Sequence, residues 1–227
     1  PSENTLLACI QIEELAWGDA GLYLSIPNPG LGGAAINAAG TPEQRERFLK
    51  HFYDGKPRWG AMAITEPHFG SDSKQVAVTA RRDGDEWVLN GTKRFITGAG
   101  VSHAYVVFAT RDPSLRSKGV SAFLVMKDDP GVEFGRKEDK MGIRGSPTRE
   151  VIVTDTRIPA DRLIGQEGSG FAYAMRTLDY SRPAIAAQAL GIAQGALDVA
   201  SRYSTERRQF GKTVSEFQGV SFMLADM

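Results

Sequence analysis

The apolar residues of this chain change their period twice, and no other feature of the sequence restricts its architecture as much. Up to Trp59 the spacing is helical. Ala8, Ile12, Leu15 and Ala16 recur at i, i+4, i+7 and i+8, which puts them on one helix face, and Gly18 offers a stop. Residues 21–39 hold Pro27, Pro29 and four glycines, so a helix there is expected to break early and resume near Leu31. A third helix is better signed. Thr41 caps its N-terminus, Pro42 fits the first helical position, where no N–H partner is needed, and Gln44 completes a capping box. It is expected to run to about Tyr53 and end at Asp54-Gly55.

From Trp59 the period becomes two. Val76, Val78 and Ala80 alternate with polar neighbours, Asp83-Gly84-Asp85 turns the chain, Trp87 and Leu89 alternate again, and Asn90-Gly91 reads as a tight turn into residues 92–97. Further β-branched runs follow at 104–110, 120–127, 132–134 and 149–154. Short strands at this turn-punctuated spacing indicate a closed barrel or a sandwich rather than alternating βαβ units. No Rossmann glycine fingerprint stands between a strand and a helix, so a dinucleotide would have to be bound by another geometry.

Beyond Ile158-Pro159 the helical period returns. A flexible stretch marked by Gly165, Gly168 and Gly170 leads to an alanine-rich stripe of Ile185, Ala189, Ile192, Ala193, Ala196, Leu197 and Ala200, whose small residues permit close helix approach. Val214, Phe217, Ser221 and Leu224 begin another helix with a/d-like spacing, so this region reads as the first half of an antiparallel bundle.

Composition narrows the function. The 27 basic residues balance 27 acidic ones, which leaves no broad cationic field for nucleic acid. Arg81-Arg82, beside Asp83-Gly84-Asp85, reads as a solvated face. Cys9 is the only cysteine and reads as a small apolar helix residue in a reducing compartment. His51, His68 and His103 are dispersed without ligand spacing, so no metal is expected, and His68 reads as a turn residue at a pocket rim. No apolar run is long enough to span a bilayer, and no basic-then-apolar leader precedes the first helix. The chain begins at Pro1 rather than a methionine and ends at Met227 inside an amphipathic pattern, so the natural polypeptide is expected to continue.

One stretch carries the chemistry. Residues 63–72, Ala-Ile-Thr-Glu-Pro-His-Phe-Gly-Ser-Asp, read as a short apolar strand broken by a proline and followed by a glycine and two short polar side chains. Such a reversal exposes donors and acceptors, as a small-molecule site requires; it is also an ordinary strand exit. Three motifs follow in order: Gly91-Thr-Lys-Arg-Phe-Ile-Thr97, Lys140-Met-Gly-Ile-Arg144 and Glu206-Arg-Arg-Gln-Phe-Gly211. Together they resemble the acyl-CoA dehydrogenase family, flavoproteins that oxidise acyl thioesters, and the resemblance covers nearly the whole chain.

The resemblance implies a multidomain α+β protein: a partial N-terminal helical domain over residues 1–57, a central antiparallel β-barrel over 58–164, and the start of a C-terminal four-helix bundle over 165–227. It implies flavin adenine dinucleotide (FAD) held between barrel and bundle, an acyl-CoA substrate, and an electron-transfer flavoprotein as acceptor. It further implies fatty-acid β-oxidation by a homo-oligomer, a dimer or a dimer of dimers (homotetramer), in a bacterial cytoplasm or a mitochondrial matrix.

Residue by residue, the resemblance sets Ile64 and Thr65 against the flavin ring through backbone amide and hydroxyl. Phe95, Ile96 and Thr97 fall near the isoalloxazine, and Ser71 falls where a phosphate of the cofactor or acyl-CoA passes. Asp179 and Arg182 fall at the mouth of the acyl-CoA site, although Asp179 or Ser181 before Pro183 also reads as a helix cap. Arg207 and Phe210 would reach the pyrophosphate and adenine of a flavin bound by a neighbouring subunit. A guanidinium fork suits a diphosphate and an aromatic face suits a purine, while basic residues at a helix C-terminus also complement its dipole. The sequence departs from the family pattern at His68-Phe69 and Gly98-Ala99, which bears on the shape of the substrate side.

The implied reaction removes an α-proton with a carboxylate while hydride leaves the acyl β-carbon for flavin N5. The family's usual base is a glutamate late in the bundle; in a minority it immediately precedes the arginine matching Arg182, where this chain has Ser181. Glu66, next to Pro67, reads as part of the turn. The base is therefore expected beyond Met227, and the chain as it stands is expected not to dehydrogenate acyl-CoA. The alternatives are a non-catalytic acyl-CoA-binding or scaffold subunit, and a flavin oxidase or monooxygenase acting on a nitroalkane, amine or aromatic.

Overall fold

A computed structural model describes residues 3–227. The chain forms two compact units, one from residues 26–181 and one from the two chain ends, through Ser25 and from Arg182 onward. In order, α1 (Glu3–Tyr23), α2 (Gly30–Ala39) and α3 (Pro42–Leu49) precede β1 (Gly60–Ala63), β2 (Thr79–Asp83), β3 (Glu86–Thr97) and β4 (Ala104–Thr110). Then come β5 (Val120–Met126), β6 (Val132–Phe134), β7 (Thr148–Pro159), β8 (Leu163–Ile164) and α4 (Gly170–Glu206). A small hairpin of β9 (Arg208–Gln209) and β10 (Lys212–Thr213) leads to α5 (Gln218–Asp226).

Local chemistry sets α3 as its sequence requires. Thr41 Oγ1 accepts from Gln44 N, and Gln44 Oε1 accepts from Thr41 N, both at 3.2 Å, with Pro42 in the first turn. The helix stops at Leu49, short of the expected Tyr53, and one 3-10 turn continues to Phe52.

In the unit of residues 26–181, β4 is the strand on which the rest is built. All of its residues are buried, and they alternate between two cores. Tyr105, Val107 and Ala109 join Trp87, Leu89, Phe123 and Val151 in one; Val106 and Phe108 join Ile36, Phe48, Leu124 and Ile164 in the other. A strand covered on both faces has no polar side, hence its unbroken apolar run.

The strand order is β6-β7-β3-β2-β4-β5-β8, with β1 parallel to β4. This corrects the expected closed antiparallel barrel. The sheet is mixed, since β2 also meets β4 in parallel at Thr79 and Thr110. It is rolled, because Trp87 of β3 meets Phe123 of β5 edge to face at 5.1 Å, but it remains open. The edge strands β6 and β8 hold 3 and 2 residues, too few to form a closing seam. The expected turn at Asn90-Gly91 is also corrected, for β3 runs straight through it. Gly91 takes φ 136° at a register shift against β7, and a β carbon there would stand 2.9 Å from Val78 Cγ2, so the dipeptide is a bulge. Asn90 instead braces β7, accepting from Asp155 N at 2.8 Å and donating to Asp155 Oδ1 at 3.0 Å.

In the unit of the chain ends, α1 lies on the later part of α4 at two glycines. A β carbon on Gly191 would stand 2.1 Å from Glu13 O, and one on Gly195 2.7 Å from Trp17 O. Trp17 Nε1 donates to Asp198 Oδ2 at 2.8 Å across the same contact. α1 is interrupted at Asp19, beside the expected stop at Gly18. Of its expected inner face Ala16 is buried and Ile12 half-buried, while Ala8 and Leu15 are exposed. The alanine-rich stripe of α4 is likewise mostly exposed, at Ile185, Ala189, Ile192, Ala193 and Ala196. α5 has 9 residues, none of them buried. One long helix and one short one do not make a four-helix bundle, which corrects the C-terminal part of the expected fold class. Among the described residues no helix is long and apolar enough to cross a membrane.

α2 reaches β1 through Gly32, where a β carbon would stand 2.6 Å from Ala61 O and 2.9 Å from Ala61 N. Gly32→Ala must therefore push α2 away from the strand that leads into residues 63–72. It is expected to lower stability by about 1–3 kcal/mol, the usual range for overpacking. Urea unfolding followed by circular dichroism measures this, and an unchanged midpoint would mean that the helix shifts freely.

Candidate functional site

Near the end of β3 its ladder with β7 slips a second time. Lys93 pairs with Val151 and Ile96 with Arg149, so β3 carries one residue more than its partner. The surplus is absorbed at Phe95, whose φ of 57° lies in the left-handed region. For a residue with a β carbon that conformation costs about 1–2 kcal/mol. At this bulge the Arg94 N–H donates to Thr65 O at 2.8 Å. The exit of β1 and the end of β3, far apart in sequence, are thereby tied together.

A buried ion pair lies beside that bond. Lys93 Nζ, with no exposed side-chain surface, donates to Glu66 Oε1 at 2.6 Å and to Ile64 O at 3.1 Å. Glu66 Oε1 also accepts from Val78 N at 3.0 Å, and Oε2 accepts from Ala77 N at 2.7 Å. Burial pulls the Lys93 ammonium down to about 8, with the Glu66 carboxylate pulling the other way. Taking two charges out of water costs several kcal/mol per ion, so such a pair rarely exceeds an apolar pair of equal volume in stability. What it supplies is direction, because its hydrogen bonds reach three chain segments at once. Glu66 does belong to the turn, as its sequence suggested, since its N–H donates to Phe69 O at 3.0 Å and its carbonyl accepts from Phe69 N at 3.2 Å. The burial of its side chain against Lys93 is not legible from the turn motif. A lysine within the buried stretch of β3 was the available signal, but its partner is not identifiable from spacing.

The remaining expected site residues fall into three groups. Ile64 and Thr65 are half-buried, Thr97 is exposed at the end of β3, and Phe95 is 57% exposed with the Arg94 guanidinium 5.0 Å from its ring centre. These the structure brings together, with one difference: Ile96 is 3% exposed and its side chain belongs to the core. Ser71 is exposed in the following loop. Asp179 is exposed well inside α4, which begins at Gly170, so the cap reading of Asp179 is corrected; Pro183 also lies inside the helix.

Arg182, Arg207 and Phe210 belong to the unit of the chain ends, and all three are exposed. Arg207 follows α4, and its carbonyl accepts from Val214 N at 2.8 Å. Phe210 and Gly211 form the two-residue loop of the β9–β10 hairpin, with φ of 52° and 82°. Phe210 is 92% exposed, with its ring edge-on to Phe217 at 6.2 Å.

Comparison with known proteins agrees with these motifs. Three family profiles match in order: acyl-CoA dehydrogenase, N-terminal domain, at residues 3–56; middle domain at 61–156; and C-terminal domain at 168–227. A probable acyl-CoA dehydrogenase (fadE25) of Mycobacterium leprae is 45% identical over 224 residues, 99% of this chain and 57% of the relative. The mitochondrial short-chain specific acyl-CoA dehydrogenase of Bos taurus is 48% identical over 220 residues, 96% of this chain and 53% of the relative. Butyryl-CoA dehydrogenase from Megasphaera elsdenii superposes with a TM-score of 0.89 at 43% identity, covering 96% of this chain and 57% of that one. The chain belongs to the acyl-CoA dehydrogenase family. It spans a little over half the length of these relatives.

FAD is the cofactor that this membership implies, and the residues present fit it by the chemistry of their donors. Among the described residues no hydrogen bond engages the hydroxyl of Thr65 or Thr97. The buried Arg94 Nε has no partner, and a strained backbone holds the Phe95 ring outward.

Lys93→Met alone leaves the Glu66 carboxylate buried and without its cation, and is expected to lower stability by about 3–5 kcal/mol. Adding Glu66→Gln should restore part of that loss, because the charge is gone and the amide oxygen accepts from one of the two backbone N–H groups, while the other loses its acceptor. Urea unfolding of the two single variants and the double variant tests this, and additive losses would contradict a coupled pair.

Proposed function

We propose that these residues form the flavin-facing part of an acyl-CoA dehydrogenase, a protein that introduces an α,β double bond into an acyl-CoA thioester and passes the electrons to an electron-transfer flavoprotein. The observation that carries this reading is the junction of residues 64–66 with 93–97, which gathers two unengaged threonine hydroxyls and an outward phenylalanine on one edge. Bound FAD supplies the acceptor for the hydride that leaves the acyl β-carbon.

The chain's own residues bind, orient and shield. Thr65 and Thr97 offer hydroxyl donors to the polar edge of a flavin ring, where donors matter most as negative charge arrives. Phe95 gives that ring an apolar wall against water. Ile96 contributes through its backbone, since its side chain is committed to the core. Arg207 and Phe210 are assigned to the diphosphate and adenine of a cofactor bound by a second subunit, which makes the protein a homo-oligomer. Ser71, Asp179 and Arg182 are assigned to the phosphate and mouth of the acyl-CoA site. Glu66 is not the base that takes the α-proton: it is 5% exposed, and its oxygens hold Lys93, Ala77 N and Val78 N. The expected setting is a bacterial cytoplasm or a mitochondrial matrix.

Reconstitution with FAD followed by anaerobic mixing with saturated acyl-CoA thioesters of several lengths tests the reading. A protein-bound flavin band is expected, and its absence would contradict the proposal. Bleaching by residues 1–227 alone would locate the base within them; bleaching only by a longer polypeptide would locate it outside.

In a form that reacts, Thr97→Ala is expected to slow flavin reduction by substrate on the order of a hundredfold, the scale for removing one preorganised donor, while weakening FAD binding far less. Stopped-flow reduction measures the first and FAD titration the second. Equal reduction rates would return Thr97 to the role of an ordinary strand residue.

A further inference from the structure

We propose, on the reading that this edge holds a flavin, that Lys93 and Glu66 are positioning residues which set the offset between residues 64–65 and 95–97, and that neither touches substrate. Both side chains are closed off, at 0% and 3% exposure, so neither is open to a substrate or to solvent. All the bonds they make are to one another or to backbone. Lys93 Nζ takes Ile64 O at 3.1 Å, at the residue beside Thr65, and Glu66 takes the N–H groups of Ala77 and Val78 at the approach to β2.

The reason for a charged device here lies in the bulge. Phe95 is held at φ 57°, a conformation its backbone would relax if it were free to do so, and the Arg94 N–H has left the ladder for Thr65 O. Relaxing the bulge would return Arg94 to the register of β7, shift Phe95 and Thr97 by one position, and so turn their side chains to the opposite face. An apolar pair would fill the same space but would not distinguish the two registers. The ion pair does, because its hydrogen bonds are directional and an unpaired buried charge is strongly disfavoured. Its position two residues before the strained phenylalanine is where such a lock must act.

The test uses Lys93→Met/Glu66→Gln, with amide exchange at Arg94 followed by NMR and FAD affinity by fluorescence quenching. The expected result is an unfolding midpoint above that of Lys93→Met alone, Arg94 exchange at least tenfold faster, and FAD affinity of the folded protein at least tenfold weaker. A role in stability alone would move the midpoint and leave affinity and the bound flavin's visible band unchanged in the folded fraction. That outcome, or unchanged Arg94 exchange, would overturn the proposal. If the double variant does not fold, Glu66→Asp carries the same measurements, since it keeps the charge that Lys93 needs while shortening the carboxylate's reach by one methylene. If the parent binds no FAD, the functional reading above falls; the exchange measurement then decides the clamp by itself, with a deprotected Arg94 upholding it and a protected one overturning it.

Discussion

The arrangement of the site depends on one buried contact, Lys93 Nζ to Glu66 Oε1 at 2.6 Å. Without it, the Arg94 N–H bond to Thr65 O would still join the exit of β1 to β3, but no side chain would link both to the approach to β2. With it, the exit of β1, the approach to β2 and the late part of β3 share a network in which two backbone N–H groups and one carbonyl are satisfied by side chains. The network sits where the ladder of β3 and β7 slips by one residue, so the irregular part of the sheet is the part that buried charge holds.

Strain and exposure coincide at two phenylalanines. Phe95 and Phe210 both adopt left-handed backbone, and both present most of their ring to solvent, at 57% and 92%. Each is unfavourable twice over, in backbone conformation and in exposed apolar area. One is produced by a bulge and the other by a two-residue hairpin loop, so no shared local motif explains them. Both belong to the residues that the family resemblance assigns to a flavin.

The sequence was legible where short-range chemistry decides the outcome. The capping box at Thr41 and Gln44, the turn at Gly84 and the strands at 104–110 and 132–134 are local, and the structure has them where they were expected. It was misleading where long-range pairing decides. Asn90-Gly91 has the composition of a hairpin turn, yet Asp155 and Val78 recruit it into a bulge. Closure of the sheet depends on the length of its edge strands, and α4's stripe of alanines carries the pattern of a bundle seam but is mostly exposed among the described residues. The motifs pointed to segments that the structure ties together through Arg94 N–H and Thr65 O, but not to the face that Ile96 presents or to the lysine beneath the edge.

The most direct measurement is a crystal structure of the FAD-bound protein. The isoalloxazine is expected against the edge formed by residues 64–65 and 95–97, with the Thr65 or Thr97 hydroxyl within hydrogen-bond distance of the ring and the Lys93–Glu66 pair intact. A ring bound away from that edge, or one bound there with Phe95 relaxed out of the left-handed region and the pair broken, would contradict it.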